Sequence, residues 1–483
     1  MKIRNVMQIG LIIAMILSIF PVTKVQAKTD QYDVIKKNGV LRVGLSADYA
    51  PYEFEKTVNG KREYAGIDIE LSKKLAKDLG VELKIVNMQF DSLLGALKTG
   101  KIDMIASGMS PTPERKKEVD FTESYMFVSQ RMIVQKKEVD KYKSLSDFKG
   151  KAIGVQKQST QEELAKNELP DSDIQSLTRV PEIIMGLNTG KVDGVIIEGP
   201  VGEAYLTQNK NLAFSKFKFE EEEKGTAIAI PKDSPKLLNE LNTIIKDVKD
   251  KNLIQEYKDK ANKEMFNDGS FFSKYGTFFI QGIGATILIS LIGVLLGSLF
   301  GGILAFMKLS KNIIAKTIAW IYIEFIRGTP LLVQVFLVYF GTTAVLGIDM
   351  SAFVCGAIAL VINCAAYIAE IIRAGIKAVD KGQMEAARSL GLTHAQAMNK
   401  VIMPQAIKKI LPALGNEFIT VIKESSIVSV IGVSELMFNA QVVQGASFDP
   451  FTPLMIAALV YFILTFGLSR VMNVFERRMS VSD

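Results

Sequence analysis

Side chains able to do chemistry are spread unevenly along this 483-residue chain. There is one histidine, His394, and there are two cysteines, Cys355 and Cys364, both inside an apolar run. A single histidine argues against a His-based metal site, and no nucleophile–base–acid set is visible, which counts against a hydrolase. The nearest approach to a phosphate-binding loop is GALKTGK at 95–101, but Ile102 follows where a Ser or Thr should hold Mg²⁺. No ATP, Mg²⁺ or other cofactor is therefore expected on this chain. Polar and ionisable residues do occur where they are expensive. Arg327, Asn363, Glu370 and Glu424 sit within or beside long apolar runs. Such residues are functional candidates by default, or buried pairs that fix helix packing. Glu370 and Asn363 are the candidates for a path through the membrane.

The elements that must position these groups divide in two. Hydrophobic residues make up 48% of the chain, but residues 28–266 are charge-rich while 275–483 carry long apolar runs. Such a shift marks a domain boundary, with 267–274 as the expected linker. The net charge of +7 comes from 58 Lys and Arg against 51 Asp and Glu. The lysines are interspersed with acids and there is no arginine-rich tract, so the charge reads as a solvated surface rather than a nucleic-acid footprint. Residues 28–266 contain no cysteine and hence no disulfide framework. Residues 1–27 combine Lys2 and Arg4, an apolar stretch at 9–20 and the ending Val25-Gln26-Ala27. That is the pattern of a secretory signal, with an uncleaved anchor as the alternative. Either places the following domain outside the cytoplasm.

Five spans are expected after residue 270: about 278–306, 328–345 (preceded by an amphipathic stretch at 313–326), 353–372, 410–433 and 455–474. The fourth is the weakest, because Glu417, Lys423 and Glu424 lie in or near it. Starting outside, five spans end inside. Loops expected inside hold Lys308, Lys311 and Lys316, then Lys377, Lys381, Arg388, Lys400, Lys408 and Lys409, then Arg477 and Arg478. Loops expected outside, 346–352 and 434–451, hold no Lys or Arg. This agrees with the positive-inside rule and predicts a multi-pass cell-membrane protein with a cytoplasmic C-terminus.

In the charge-rich part, apolar strands at 40–44, 81–86 and 102–106 alternate with helices at 66–80 and 92–98. The pattern restarts with strands at 152–155 and 194–197 and a helix near 160–166. A strand at 226–230 and helices at 235–249 and 253–257 return to the first lobe. The expected fold is two α/β lobes, about 36–127 with 226–266, and 130–222. Chain crossings are expected near 127–131 and 220–225.

The strings SADYAPYEF (46–54), AGIDIELSKKLAKDLG (65–80) and FDSLLGALKTGKIDMIASGMSPTPERKKEVDFTESY (90–125) resemble the polar-amino-acid solute-binding proteins of ABC importers. GVQKQSTQEEL (154–164) and KVDGVIIEGP (191–200) are similar to the second-lobe segments of that family. The resemblance implies a type II periplasmic-binding-protein-like fold and an amino-acid ligand. A free amino acid is a zwitterion, which needs a cation, an anion and a desolvated cavity. By resemblance, Arg115 forks onto the carboxylate, and Glu198 stands where the family usually has an Asp for the ammonium. Tyr49 and Phe90 fall at aromatic-wall positions. Ser107, Gly108 and Ser110 match the segment supplying backbone and hydroxyl hydrogen bonds. Gln156, Ser159 and Thr160 come from the second lobe. Neutral Gln156, without a cluster of acids on that lobe, favours glutamine, ahead of asparagine, glutamate or a basic amino acid such as arginine. Ligand groups on both lobes imply hinge closure.

QMEAARSLGLTHAQAMNKVIMPQA (383–406) resembles the cytoplasmic EAA loop of ABC permeases, with Glu385, Ala386 and Gly391 at the coupling positions. The resemblance implies an all-α permease domain docking a separate cytoplasmic ABC ATPase subunit, which would bind the ATP and Mg²⁺. One five-span half is too small to line a whole path, so a homodimer in membrane lipid is expected. A proton-coupled secondary transporter using Glu370 is the alternative.

Overall fold

The computed structural model describes residues 29–58, 61–219, 224–265 and 270–480. The signal segment expected at 1–27, residues 266–269 of the junction and residues 220–223 of the second crossing lie outside them. The chain forms two compact units, one of Lys28–Gly284 with Ser429–Leu459, the other of Ala285–Val428 with Val460–Asp483.

In the first unit, two five-stranded sheets define two lobes. The first lobe runs Glu82–Asn87, Val40–Leu45, Met104–Ile105, Ala229–Ile230 and Asp120–Phe121, with the first three strands parallel. Strand Val40–Leu45 is covered on both faces, which is why VLRVGL carries few polar side chains. Its core joins Leu41, Val43, Leu71, Leu75, Ile228 and Leu241. The second lobe repeats the plan with Asp173–Leu177, Ala152–Gln156, Gly194–Glu198, Gln130–Gln135 and Leu212–Phe214. The sheets place Gln156 and Glu198 at the carboxyl ends of parallel strands, where ligands bind in open α/β sheets. The crossing expected near 127–131 is a two-stranded ribbon in which Met126–Val128 pairs antiparallel with Lys224–Thr226.

Gly66 lies between Ala65, the last strand residue of the motif hairpin, and helix Ile67–Asp78. Its φ is +127°, and a Cβ there would fall 2.1 Å from the Tyr52 carbonyl oxygen. Only glycine fits both constraints.

The second unit is helical, and among the described residues from 270 onward five spans are present only if each bent helix pair counts as one. Phe271–Leu309, Ala352–Lys377 and Thr452–Val474 are long and apolar enough to cross a membrane alone. The helix at Phe271 begins inside the stretch expected to be linker. The expected second span is interrupted: Ile313–Gly328 and Leu331–Ala344 meet at 107°. Pro330 stands at the break, where it lacks an N–H for a continued helix. Gln334 stitches the break, donating to the carbonyls of Ile326 (2.8 Å) and Thr329 (3.1 Å), while its own oxygen accepts from Asn363 (3.0 Å). The expected fourth span differs as well. Its helix is Met403–Glu424, followed by a 3₁₀ stretch to Ile431. The 434–451 loop then contains a helix of its own, Leu436–Ser447, and ten of its twelve residues are buried. That helix belongs to the first unit.

Gly66→Ala is expected to destabilise the first unit by about 3 kcal/mol, from left-handed backbone strain plus overpacking. Thermal unfolding of the purified chain should show a lower midpoint for this unit; an unchanged midpoint would contradict the close approach to Tyr52.

Candidate functional site

The site is built from strand ends, short caps and one motif hairpin. Thr112 caps helix Pro113–Glu118, its Oγ1 accepting from the Arg115 N–H at 3.3 Å. That short helix presents Arg115 inward, 8% exposed. Its guanidinium donates to the Ser110 carbonyl (2.8 Å) on the first lobe and the Gln158 carbonyl (2.7 Å) on the second. It also lies 5.5 Å from the centroid of the Phe90 ring. Burial pulls the Arg115 pKa down to about 10, against the attraction of Glu163 and Glu198. The guanidinium stays charged at neutral pH.

Glu198 ends its strand and is 2% exposed, and its Oε2 is buried without a hydrogen-bond partner. Burial raises its pKa to about 7, with Tyr52 opposing and Asp68 reinforcing the shift. A buried, unpartnered carboxylate oxygen is suited to an ammonium group, because any other state leaves it short of a partner.

The other expected residues have definite places. Tyr49 stacks on Tyr52 with centroids 5.4 Å apart. Gly108 has a left-handed φ of +55°, and a Cβ there would press against the Tyr49 ring at 3.0 Å. Its N–H donates to Asp68 at 2.8 Å. The Ser107 hydroxyl is already engaged, accepting from the Ser46 N–H at 3.1 Å and donating to Glu53 in a short hydrogen bond. Ser110 Oγ is buried without a partner and so remains available. Gln156 donates to the Thr178 carbonyl at 3.4 Å. The Ser159 hydroxyl caps the helix beginning at Thr160 and donates to the Gln156 carbonyl at 2.5 Å, so its geometry is that of a capping residue. Thr160 is buried in the first turn of that helix.

Residues absent from the expected set also contribute. Tyr52 belongs to the same SADYAPYEF string as Tyr49, but their three-residue spacing is not that of an alternating strand and gives no signal that pairs them. Gln161 donates to Gln130 at 3.0 Å, a buried carboxamide pair with no local signal. Buried Glu53 has its pKa raised by burial and by Asp68, and Asp68 itself is raised to about 6 by burial.

In the helical unit, Glu385 and Ala386 lie exposed on helix Lys381–Ser389. The chain turns at Gly391, φ +86°, leaving Leu390 82% exposed at the tip. Glu370 is held by two cations, Lys308 at 2.5 Å and Arg373 at 2.8 Å. Asn363 braces Gln334 at the helix break. Among the described residues no group of three or more His, Cys, Asp or Glu is placed to hold a metal ion.

A two-lobed α/β receptor and a helical permease with a coupling-type loop define the class: a binding-protein-dependent membrane transporter in one chain. Residues 41–264 match the family of bacterial extracellular solute-binding proteins, family 3. Residues 293–481 match the binding-protein-dependent transport system inner membrane component. A putative glutamine transport system permease protein of Rickettsia conorii is 42% identical over 205 residues, 42% of this chain and 94% of that protein. An arginine-binding extracellular protein of Bacillus subtilis is 39% identical over 223 residues, 46% of this chain and 85% of that protein. An amino acid transporter substrate-binding protein of Streptococcus pneumoniae, solved with L-arginine, is 37% identical, with a TM-score of 0.48 over 49% of this chain and all of that one. The chain belongs to both families, joined as one ABC-type importer polypeptide for polar amino acids.

Arg115→Ala is expected to weaken amino-acid binding by about 100-fold or more, the scale of losing one partner of a buried charge pair; calorimetry checks it, and retained affinity would remove Arg115 from the site. Glu198 adds a pH signature. An ammonium partner favours its ionised form, so binding at pH 7 should release protons, and affinity should rise with pH through about 7. Calorimetry in buffers of different ionisation enthalpy reads the proton directly.

Proposed function

We propose that this chain is the receptor and pore subunit of an ATP-driven importer with glutamine as its ligand. The observation that carries the reading is the pair of buried, oppositely charged groups on different lobes, Arg115 and Glu198, beside aromatic Tyr49, Tyr52 and Phe90. Neutral Gln130, Gln156 and Gln161 offer both donors and acceptors to a side-chain carboxamide. The lobes close on the amino acid, and the receptor delivers it to a path lined by two copies of the helical unit. Lysine placement supports an extracytoplasmic receptor and a cytoplasmic C-terminus.

Arginine is the second reading. It is favoured by the similarity of residues in the receptor part to an arginine-binding protein, and by the buried acids Glu53 and Asp68. Calorimetric titration of the full chain in lipid nanodiscs with glutamine, arginine, asparagine and glutamate separates the readings. Glutamine should bind most tightly; tighter binding of arginine would replace it.

Energy comes from a separate ATPase docking on the turn at 385–391, where exposed Leu390 supplies an apolar knob. Gly391→Val strains a left-handed position. It is expected to abolish amino-acid-stimulated ATP hydrolysis in proteoliposomes containing the partner ATPase, while leaving amino-acid affinity within about twofold. Stimulated hydrolysis at wild-type rate would show that this turn is not the coupling element.

A further inference from the structure

Arg179 lies outside the amino-acid site just described, yet it is among the most constrained charges in the molecule. It precedes helix Val180–Asn188 of the second lobe and is 5% exposed. Its guanidinium forms an ion pair with Asp48 of the first lobe, Nη2 to Oδ2 at 2.7 Å, and Asp48 is only 3% exposed. The pair is therefore an interlobe bridge. Nε is buried without a hydrogen-bond partner, and the other contacts of the guanidinium go to neither lobe. Nη1 donates to Gln441 Oε1 and Nη2 to the Gln441 carbonyl, both at 3.1 Å.

Gln441 lies on helix Leu436–Ser447, within the stretch that matches the permease family, whereas Arg179 and Asp48 lie within the stretch that matches the solute-binding family. All three occupy one compact unit. This helix and the residues that flank it, 432–448, grip both lobes at further points. A Cβ on Gly445 would fall 2.7 Å from the Asp48 Cα, and one on Gly432 would fall 2.1 Å from the Asn87 carbonyl oxygen, so two glycines permit backbone contact with the first lobe. On the second lobe, the Phe448 ring meets Tyr205 edge-on at 5.1 Å, and Asn209 donates to the Phe448 carbonyl at 3.2 Å. Phe448 makes these contacts from a left-handed backbone, φ +54°, which a bulky residue adopts only where its surroundings hold it.

We propose that Arg179 and Asp48 form an interlobe latch, and that the segment 436–448 senses lobe closure by gripping that latch through Gln441. The contacts need both lobes together, so the segment binds the closed receptor preferentially. By linkage, it then raises amino-acid affinity by the factor with which it favours closure. The inference rests on the reading of the two lobes as an amino-acid receptor.

The test uses the full chain in lipid nanodiscs, with glutamine and arginine as probes. Gln441→Leu removes one hydrogen bond to a charged group and is expected to weaken binding of whichever probe the wild type binds by about tenfold. Arg179→Met should do the same. The double variant should be no worse than the weaker single one, because both act through one contact. Hydrogen exchange at 436–448 should slow on adding the probe to wild type but not to Arg179→Met. Should Arg179→Met fail to fold, Gly445→Ala approaches the same contact from the segment's side and should also weaken binding. Unchanged affinity in Gln441→Leu and Gly445→Ala, or losses that multiply in the double variant, would overturn the latch alone. A wild-type chain that binds neither probe would overturn the receptor reading and the latch with it.

Discussion

A guanidinium removed from water must be met by acceptors, and in this chain Arg115 meets them on two lobes at once. One hydrogen bond goes to Ser110 in the first lobe and one to Gln158 in the second. This requirement orders much of the architecture. It needs a short capped helix to aim the side chain, supplied by Thr112 and Pro113. It needs a second lobe whose loop reaches the first, supplied by the strand ending at Gln156. It also needs a dry surround, supplied by Phe90 and the stacked Tyr49 and Tyr52. Buried charge without such partners would cost several kcal/mol. The sheets in turn set the strand ends from which these groups project, so the hydrophobic cores serve the site by fixing its frame.

What could be read from the sequence was what repeats locally. Strand Val40–Leu45, helix Ile67–Asp78 and the second-lobe strands Ala152–Gln156 and Gly194–Glu198 follow apolar periodicity, and the structure has them within a residue or two of expectation. Arg115 and Glu198 could be named because motif strings surround them. The segment 434–451 is different. Its only charged residues are Glu435 and Asp449, and it lacks a clear amphipathic stripe, because helix Leu436–Ser447 is buried nearly all round and so has no exposed face to display a period. Likewise Arg179 and Gln441 are 262 residues apart, and nothing near either residue announces the other. Ser159 is expected at the ligand by resemblance alone, and its hydroxyl also caps the helix that begins at Thr160, as Ser before an acidic first turn commonly does.

The helical unit shows the same logic with polar groups in apolar runs. A carboxamide or carboxylate there must find partners inside the protein. Gln334 and Asn363 satisfy each other and three groups at a broken helix, so the bend at Pro330 leaves few backbone groups unmet. Glu370 is met by Lys308 and Arg373. Such a carboxylate is a structural clamp first. A role along a translocation path would require one of these ion pairs to open, which makes pairing, rather than bare exposure to a pore, the property to examine.

Binding sites of this kind carry a stability penalty that pH exposes. Glu198 and Asp68 are buried acids whose pKa values rise to about 7 and about 6 on folding. Each therefore binds a proton more readily in the folded state than in the unfolded chain. Between the ordinary carboxylate range and about pH 7 the folded receptor holds the extra protons, so its stability falls as pH rises through that window. Above it, the folded state bears the whole cost of the buried negative charge. A cationic group arriving beside Glu198 offsets that cost directly. Ligand affinity and receptor instability at neutral pH then have one physical origin, and substituting Glu198 by a neutral residue trades one against the other.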